Sequence, residues 1–193
     1  MTDELTNPGG PSVGKTTLAQ HLARDLDMVH LQPDEMIRDL SRFGTASAFD
    51  GLRTAKDRKG QMSEIMTLLL LKMEIHDKLK DGRRVFLMDN FPKTMLQFYD
   101  FERQFGYQFT LRRNATCAGM ASRFHNDPGT RIWEDYLRES TAFSNRDREF
   151  QRCSRFQTQA MRVEADHPFK KYYRQIRRVI RVFLNAPKVE PAP

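Results

Sequence analysis

At 193 residues, with 39% hydrophobic and 30% charged positions, the chain suits one compact domain with a real core and leaves no room for a second independent one. No apolar run approaches the ~20 residues that span a bilayer, and two cysteines, Cys117 and Cys153, without CxxC or Cys/His ligand spacing give neither a disulfide framework nor a zinc site. The net charge of +7 comes from arginines such as Arg112, Arg123, Arg146 and Arg162, spread through the second half without interleaved aromatics, which favours small anionic ligands over a nucleic-acid partner.

The first segment, "MTDELTN", is acidic and polar. It resembles neither a secretory leader nor an Arg-rich transit peptide, so a cytoplasmic protein is expected. Its composition also argues against a buried strand. "GGPSVGKTT" follows, with Gly9, four residues, then Gly14, Lys15 and Thr16, the full Walker A spacing. Backbone N–H groups of such a loop and the N-terminus of the next helix converge on a phosphate. That helix is "TTLAQHLARDLDM", where Leu18, Leu22 and Leu26 form one apolar stripe.

"MVHLQ" at 28 to 32 reads as a short strand, and "PDEMIRDL", opened by Pro33, as the next helix. From Phe43 to Gly60 the pattern weakens into a polar, partly basic stretch that suits a mobile insertion. "SEIMTLLLLKMEIHDKLKDG" predicts a long helix closed by Gly82, and "RRVFLMDN" a buried strand ending on Asp89. Alternating helix and strand imply a parallel sheet with crossover helices, a three-layer α/β fold. An acid at the C-terminal end of a hydrophobic strand, beside a Walker A loop, is placed to act on Mg²⁺ through water. The stretch "FTLRRNATCAGMA", with its charge pair and small residues, does not read as a buried strand, whereas "YYRQIRRVIRVFL" reads as a final amphipathic helix with Ile176, Val179, Ile180 and Phe183 on its apolar face.

"GGPSVGKTT", "HLQPDEMIRDL", "GQMSEIMTLLLLKMEIHDKL" and "VFLMDNFPKTMLQ" occur in the order and at about the separations of the nucleoside monophosphate kinases, specifically the adenylate kinase and UMP-CMP kinase group. The chain resembles that family from residue 9 to about 105. The family's Asp-Gly-Phe-Pro-Arg block stands here as Asp89, Asn90, Phe91, Pro92 and Lys93. The resemblance implies a P-loop nucleoside triphosphate hydrolase-type fold in a single domain over 1–193, with a mobile acceptor-binding segment at about 33–62 and a lid at about 126–148. It further implies a monomer that uses ATP and Mg²⁺ to phosphorylate AMP or UMP/CMP, with no nucleic-acid or membrane partner.

Carried over by position, Gly9, Gly10, Gly14, Lys15, Thr16 and Thr17 fall to the ATP phosphates, and Thr16 and Asp89 to the metal side. Arg38 and Lys93 fall to the acceptor phosphate, and Gly60, Gln61 and Gln97 to the acceptor base. Lys15, Arg38, Lys93, Arg131 and Arg138 would supply the positive field for transfer, with no general base required. Four departures stand beside these matches. "MTDELTN" does not make a first strand, so either the start is truncated relative to the relatives or the sheet lacks its central strand. Asn90 and Lys93 replace the family's Gly and Arg, and lysine cannot make the planar forked contact. The lid arginines do not align cleanly, Arg146 and Arg148 offering themselves beside Arg131 and Arg138, and the strand expected after "FERQFGYQ" is interrupted. A degenerate nucleotide-binding relative, or another P-loop small-molecule kinase, remains open as an alternative.

Overall fold

The computed structural model describes residues 3–7, 11–43, 64–106, 109–114, 116–126, 132–164 and 168–186. Five strands form one sheet: β1 (Asp3–Asn7), β2 (Val29–Leu31), β3 (Val85–Asp89), β4 (Phe109–Asn114) and β5 (Ala160–Glu164). Their order is β2-β3-β1-β4-β5, and every neighbouring pair runs parallel. The expected α/β architecture with crossover helices is therefore present.

Two expectations are overturned. "MTDELTN" supplies the central strand, β1, in register with β3 (Leu5 opposite Leu87) and with β4 (Thr6 opposite Thr110). The sheet lacks nothing at its centre, and "FTLRRN" is a strand as well. The reason is long-range pairing. Leu5 is fully buried, and the equally buried Thr6 has its Oγ1 2.9 Å from that of Thr110, so the two hydroxyls satisfy each other. Arg112, also buried, is neutralised by Asp147 at 2.5 Å.

Thr6→Val leaves the Thr110 hydroxyl buried without a partner and is expected to cost about 1–3 kcal/mol. The Thr6→Val/Thr110→Val double variant, which removes both hydroxyls at nearly constant volume, is expected to recover most of that loss. Urea-denaturation midpoints of the three proteins check the pattern, and a double variant weaker than the single one would contradict it.

Crossovers cover both faces, as a parallel sheet requires. On one side α1 (Lys15–Asp25) and α8 (Phe169–Asn185) bring Leu18, Leu22, Ile176 and Ile180 onto Leu5, Leu87, Leu111 and Val163. On the other, α3 (Glu64–Lys80) and α4 (Met95–Phe105) bring Leu68, Leu71, Ile75 and Phe101 onto Phe86 and Met88. Successive residues of β3 thus enter opposite cores, which explains its uninterrupted apolar run. The long helix ends as expected at Gly82, whose φ of +81° is left-handed. The Gly82 N–H bonds Leu79 O at 3.1 Å and the Arg83 N–H bonds Lys78 O at 3.0 Å, the paired bonds of a Schellman ending.

The remaining helices position the site. α2 (Pro33–Phe43) starts directly after β2, while α5 (Cys117–Asn126), α6 (Trp133–Arg152) and α7 (Ser154–Gln159) link β4 to β5. Among the described residues no helix is long and apolar enough to cross a membrane. The insertion expected from Phe43 to Gly60 lies outside the described residues beyond Phe43 itself.

Candidate nucleotide site

All five strands point the same way, so β1, β2 and β3 deliver their C-terminal ends to one edge of the sheet, where ligands of open α/β folds bind. Three segments emerge there: the loop between β1 and α1, the first turn of α2, and the block after Asp89. In its described part, residues 11–14, φ is left-handed at two positions, +56° at Ser12 and +75° at Gly14. Gly14 is the N-cap of α1 and offers no side-chain cap, and the helix carries no acid in its first turn. The positive end of the helix dipole therefore favours an anion there. Val13, 1% exposed, pins the loop from behind against Met120, Phe124 and Tyr136. Half-buried Lys15 and exposed Thr16 and Thr17 then begin the helix.

These residues line a cavity of about 370 Å³ together with Asp34, Glu35 and Arg38 of α2, Asp89 and Asn90 after β3, and Glu139 of α6. A second cavity of about 720 Å³ adjoins it and is lined by Lys93, Arg138, Phe143 and Arg146. Lys15, Asp34, Asn90 and Glu139 border both. Of the residues singled out in the sequence, Gly14, Lys15, Thr16, Thr17, Arg38 and Asp89 meet at the first cavity, and Lys93 and Arg138 join Lys15 at the second. Gly9, Gly10, Gly60, Gln61 and Arg131 lie outside the described residues.

Gln97 behaves differently from its neighbours. It is 4% exposed, lines neither cavity, and its Oε1 accepts from the Lys93 backbone N–H at 2.8 Å. It braces the "DNFPK" block. That block turns through Asn90, at φ +57°, and a cis Phe91–Pro92 bond.

Two acids join the site without a motif to mark them, Asp34 and Glu139, although Asp34, opening a helix directly after a parallel strand, stands where ligands approach. Asp34 Oδ2 accepts from Asn90 Nδ2 at 2.9 Å, and its Oδ1 pairs with Lys93 Nζ. Burial pushes the Asp34 carboxyl upward, but the Lys93 charge and hydrogen bond, the Asn90 amide and the Arg38 charge outweigh it, so the group lies below the usual carboxylate range. It is ionised at neutral pH. Asp89, 2% exposed, has His30 Nε2 3.7 Å from its Oδ2.

The donor set fits a phosphate chain with a hard cation. A glycine-capped helix N-terminus with Lys15 suits phosphate oxygens, and the Thr16 hydroxyl with the Asp89 carboxylate offers the oxygens that Mg²⁺ prefers. Among the described residues no cluster of three His, Cys, Asp or Glu side chains is placed to hold a metal by itself, and a cation carried in on phosphate oxygens needs none.

Parallel sheet, glycine-capped loop and facing strand-end acid together define a P-loop nucleotide-binding protein. A family model described as "AAA domain" matches residues 8–177, and the chain belongs to that family. It is also similar to the uridylate kinase of Saccharomyces cerevisiae, 36% identical over 97 residues, covering 49% of this chain and 47% of the relative. Adenylate kinase isoenzyme 1 of Sus scrofa is 26% identical over 98 residues, covering 51% and 50%, and the adenylate kinase of Methanocella arvoryzae 34% identical over 91 residues, covering 46% and 40%. The matches span about half the length of these curated relatives or less. The resemblance to nucleoside monophosphate kinases carried by the motifs is borne out at this level.

Proposed function

We propose that the protein is an ATP-dependent nucleoside monophosphate kinase, transferring the γ-phosphoryl group of ATP to AMP or UMP/CMP. One observation carries the reading: two cavities, one at the P-loop and the N-terminus of α1 and one at the "DNFPK" block, share Lys15 on their common border, and the second adds Lys93, Arg138 and Arg146. A kinase that joins two phosphate-bearing substrates needs two anion sites with a cation between them. The names of the relatives, uridylate kinase and adenylate kinase, support the same chemistry.

In this reading Gly9, Gly10, Gly14, Thr16 and Thr17 bind the phosphates of ATP through the loop. Lys15 bridges toward the transferred group, neutralising charge that builds between donor and acceptor. Arg38, Lys93, Arg131 and Arg138 orient the acceptor phosphate, Gly60 and Gln61 belong to its base side, and Gln97 acts from behind by bracing the Lys93 backbone. Thr16 and Asp89 hold Mg²⁺, which when bound supplies further neutralisation of the phosphate oxygens. Segments at about 33–62 and 126–148 close over a single domain and exclude water as a competing acceptor. The protein works as a cytoplasmic monomer.

The test is ADP release from MgATP with AMP, UMP, CMP and GMP offered singly. Release that requires one or two of these monophosphates supports the kinase and names its acceptor. A second reading, a nucleotide binder with little transferase activity, is favoured by the Asp34 carboxylate that occupies Lys93. Tight ATP binding without release in the presence of any monophosphate would select it.

A further inference from the structure

The block after β3 carries a device that the loop chemistry does not use. Lys93 is held at two points: Gln97 Oε1 fixes its backbone N–H, and Asp34 holds its ammonium. The same carboxylate takes the Asn90 amide at 2.9 Å, so three residues from two elements form one closed group. Asp34 and Lys93 border the larger cavity directly, facing Arg138 and Arg146 of α6 across it. Their side chains are 42% and 34% exposed, so an incoming anion can reach the pair. A half-exposed pair of this kind is weak enough to be exchanged.

We propose that Asp34 is a specificity-determining residue of the acceptor side: an acceptor binds productively only by displacing this carboxylate from Lys93. The competition follows from charge and oxygen count. A carboxylate offers one negative charge on two oxygens, whereas a monophosphate ester carries about −1.5 to −2 on three. A phosphate therefore wins the ammonium, while water, an alcohol or a carboxylate does not, and the group discriminates against acceptors lacking a phosphate. Because Asp34 is ionised at neutral pH, the competitor is always present. This inference rests on the proposed kinase reading and adds the residue that sets its acceptor class.

The test uses the full chain as wild type, Asp34→Asn, Lys93→Met and the double variant, titrated calorimetrically with AMP, UMP, CMP and inorganic phosphate, and separately with ATP. Asp34→Asn keeps shape and removes the competing charge, so the monophosphate that wild type binds best is expected to bind roughly fivefold tighter. ATP affinity moves much less. Lys93→Met weakens the monophosphate, and in its background Asp34→Asn gives no gain, because the two act through one ammonium. A purely structural Asp34 would lower the thermal midpoint and weaken both ligands together. Should Asn not fold, Asp34→Ser carries the same comparison. Monophosphate binding by wild type with no gain in the Asp34 variant, or a gain that survives Lys93→Met, overturns this inference alone. Absence of monophosphate binding by all four proteins overturns the kinase reading and this inference with it.

Discussion

Lys15→Ala is expected to lower kcat/KM for phosphoryl transfer by about a thousandfold, the upper range for removing one preorganised donor from charge that develops in a transition state. Among the described residues Lys15 is the cation that borders both cavities, so no other one can replace it between them. The variant keeps its fold. Lys15 is only half-buried and opens α1, where alanine is a better helix former. An unchanged thermal midpoint with activity lost localises the effect to the chemistry. A fall of less than tenfold in a well-folded variant would mean that transfer does not take place at this loop.

The loop was legible because its parts are contiguous in the chain, and so was β3, whose apolar run Val85–Met88 is bounded by charges and turn residues. The helix α3 was legible from length and its closing Gly82. What escaped the sequence depends on partners far away in it. Within "MTDELTN" only Leu5 is an apolar residue of the strand, and Thr6 becomes a core residue through a hydroxyl 104 positions on. Arg112 in β4 is acceptable in the interior because Asp147 arrives from α6. Local composition records the cost of burying such groups and not the group that offsets it. The Asp34, Asn90 and Lys93 group is hidden for the same reason, its members lying 56 and 59 positions apart.

Arg112→Met is expected to cost about 3–5 kcal/mol, because it leaves a buried carboxylate uncompensated. The regime is decided by burial: the Arg112 and Asp147 side chains are 8% and 14% exposed, too enclosed for water to take over the lost contact. Among the described residues Asp147 then keeps the Gln151 amide at 2.6 Å. Changing both partners, Arg112→Met with Asp147→Leu, removes the charge as well as its partner and is expected to recover most of the loss. Urea denaturation of the two proteins measures this, and a single-variant cost below about 1 kcal/mol would place the pair in the screened surface class. The consequence reaches the site because Arg112 ties the sheet to α6, and α6 carries Arg138 and Arg146 into the larger cavity. At temperatures where the single variant is still folded, its KM for the monophosphate is therefore expected to rise more than its KM for ATP, because Val13 of the loop is held by Met120 and Phe124 of α5 as well as by Tyr136 of α6.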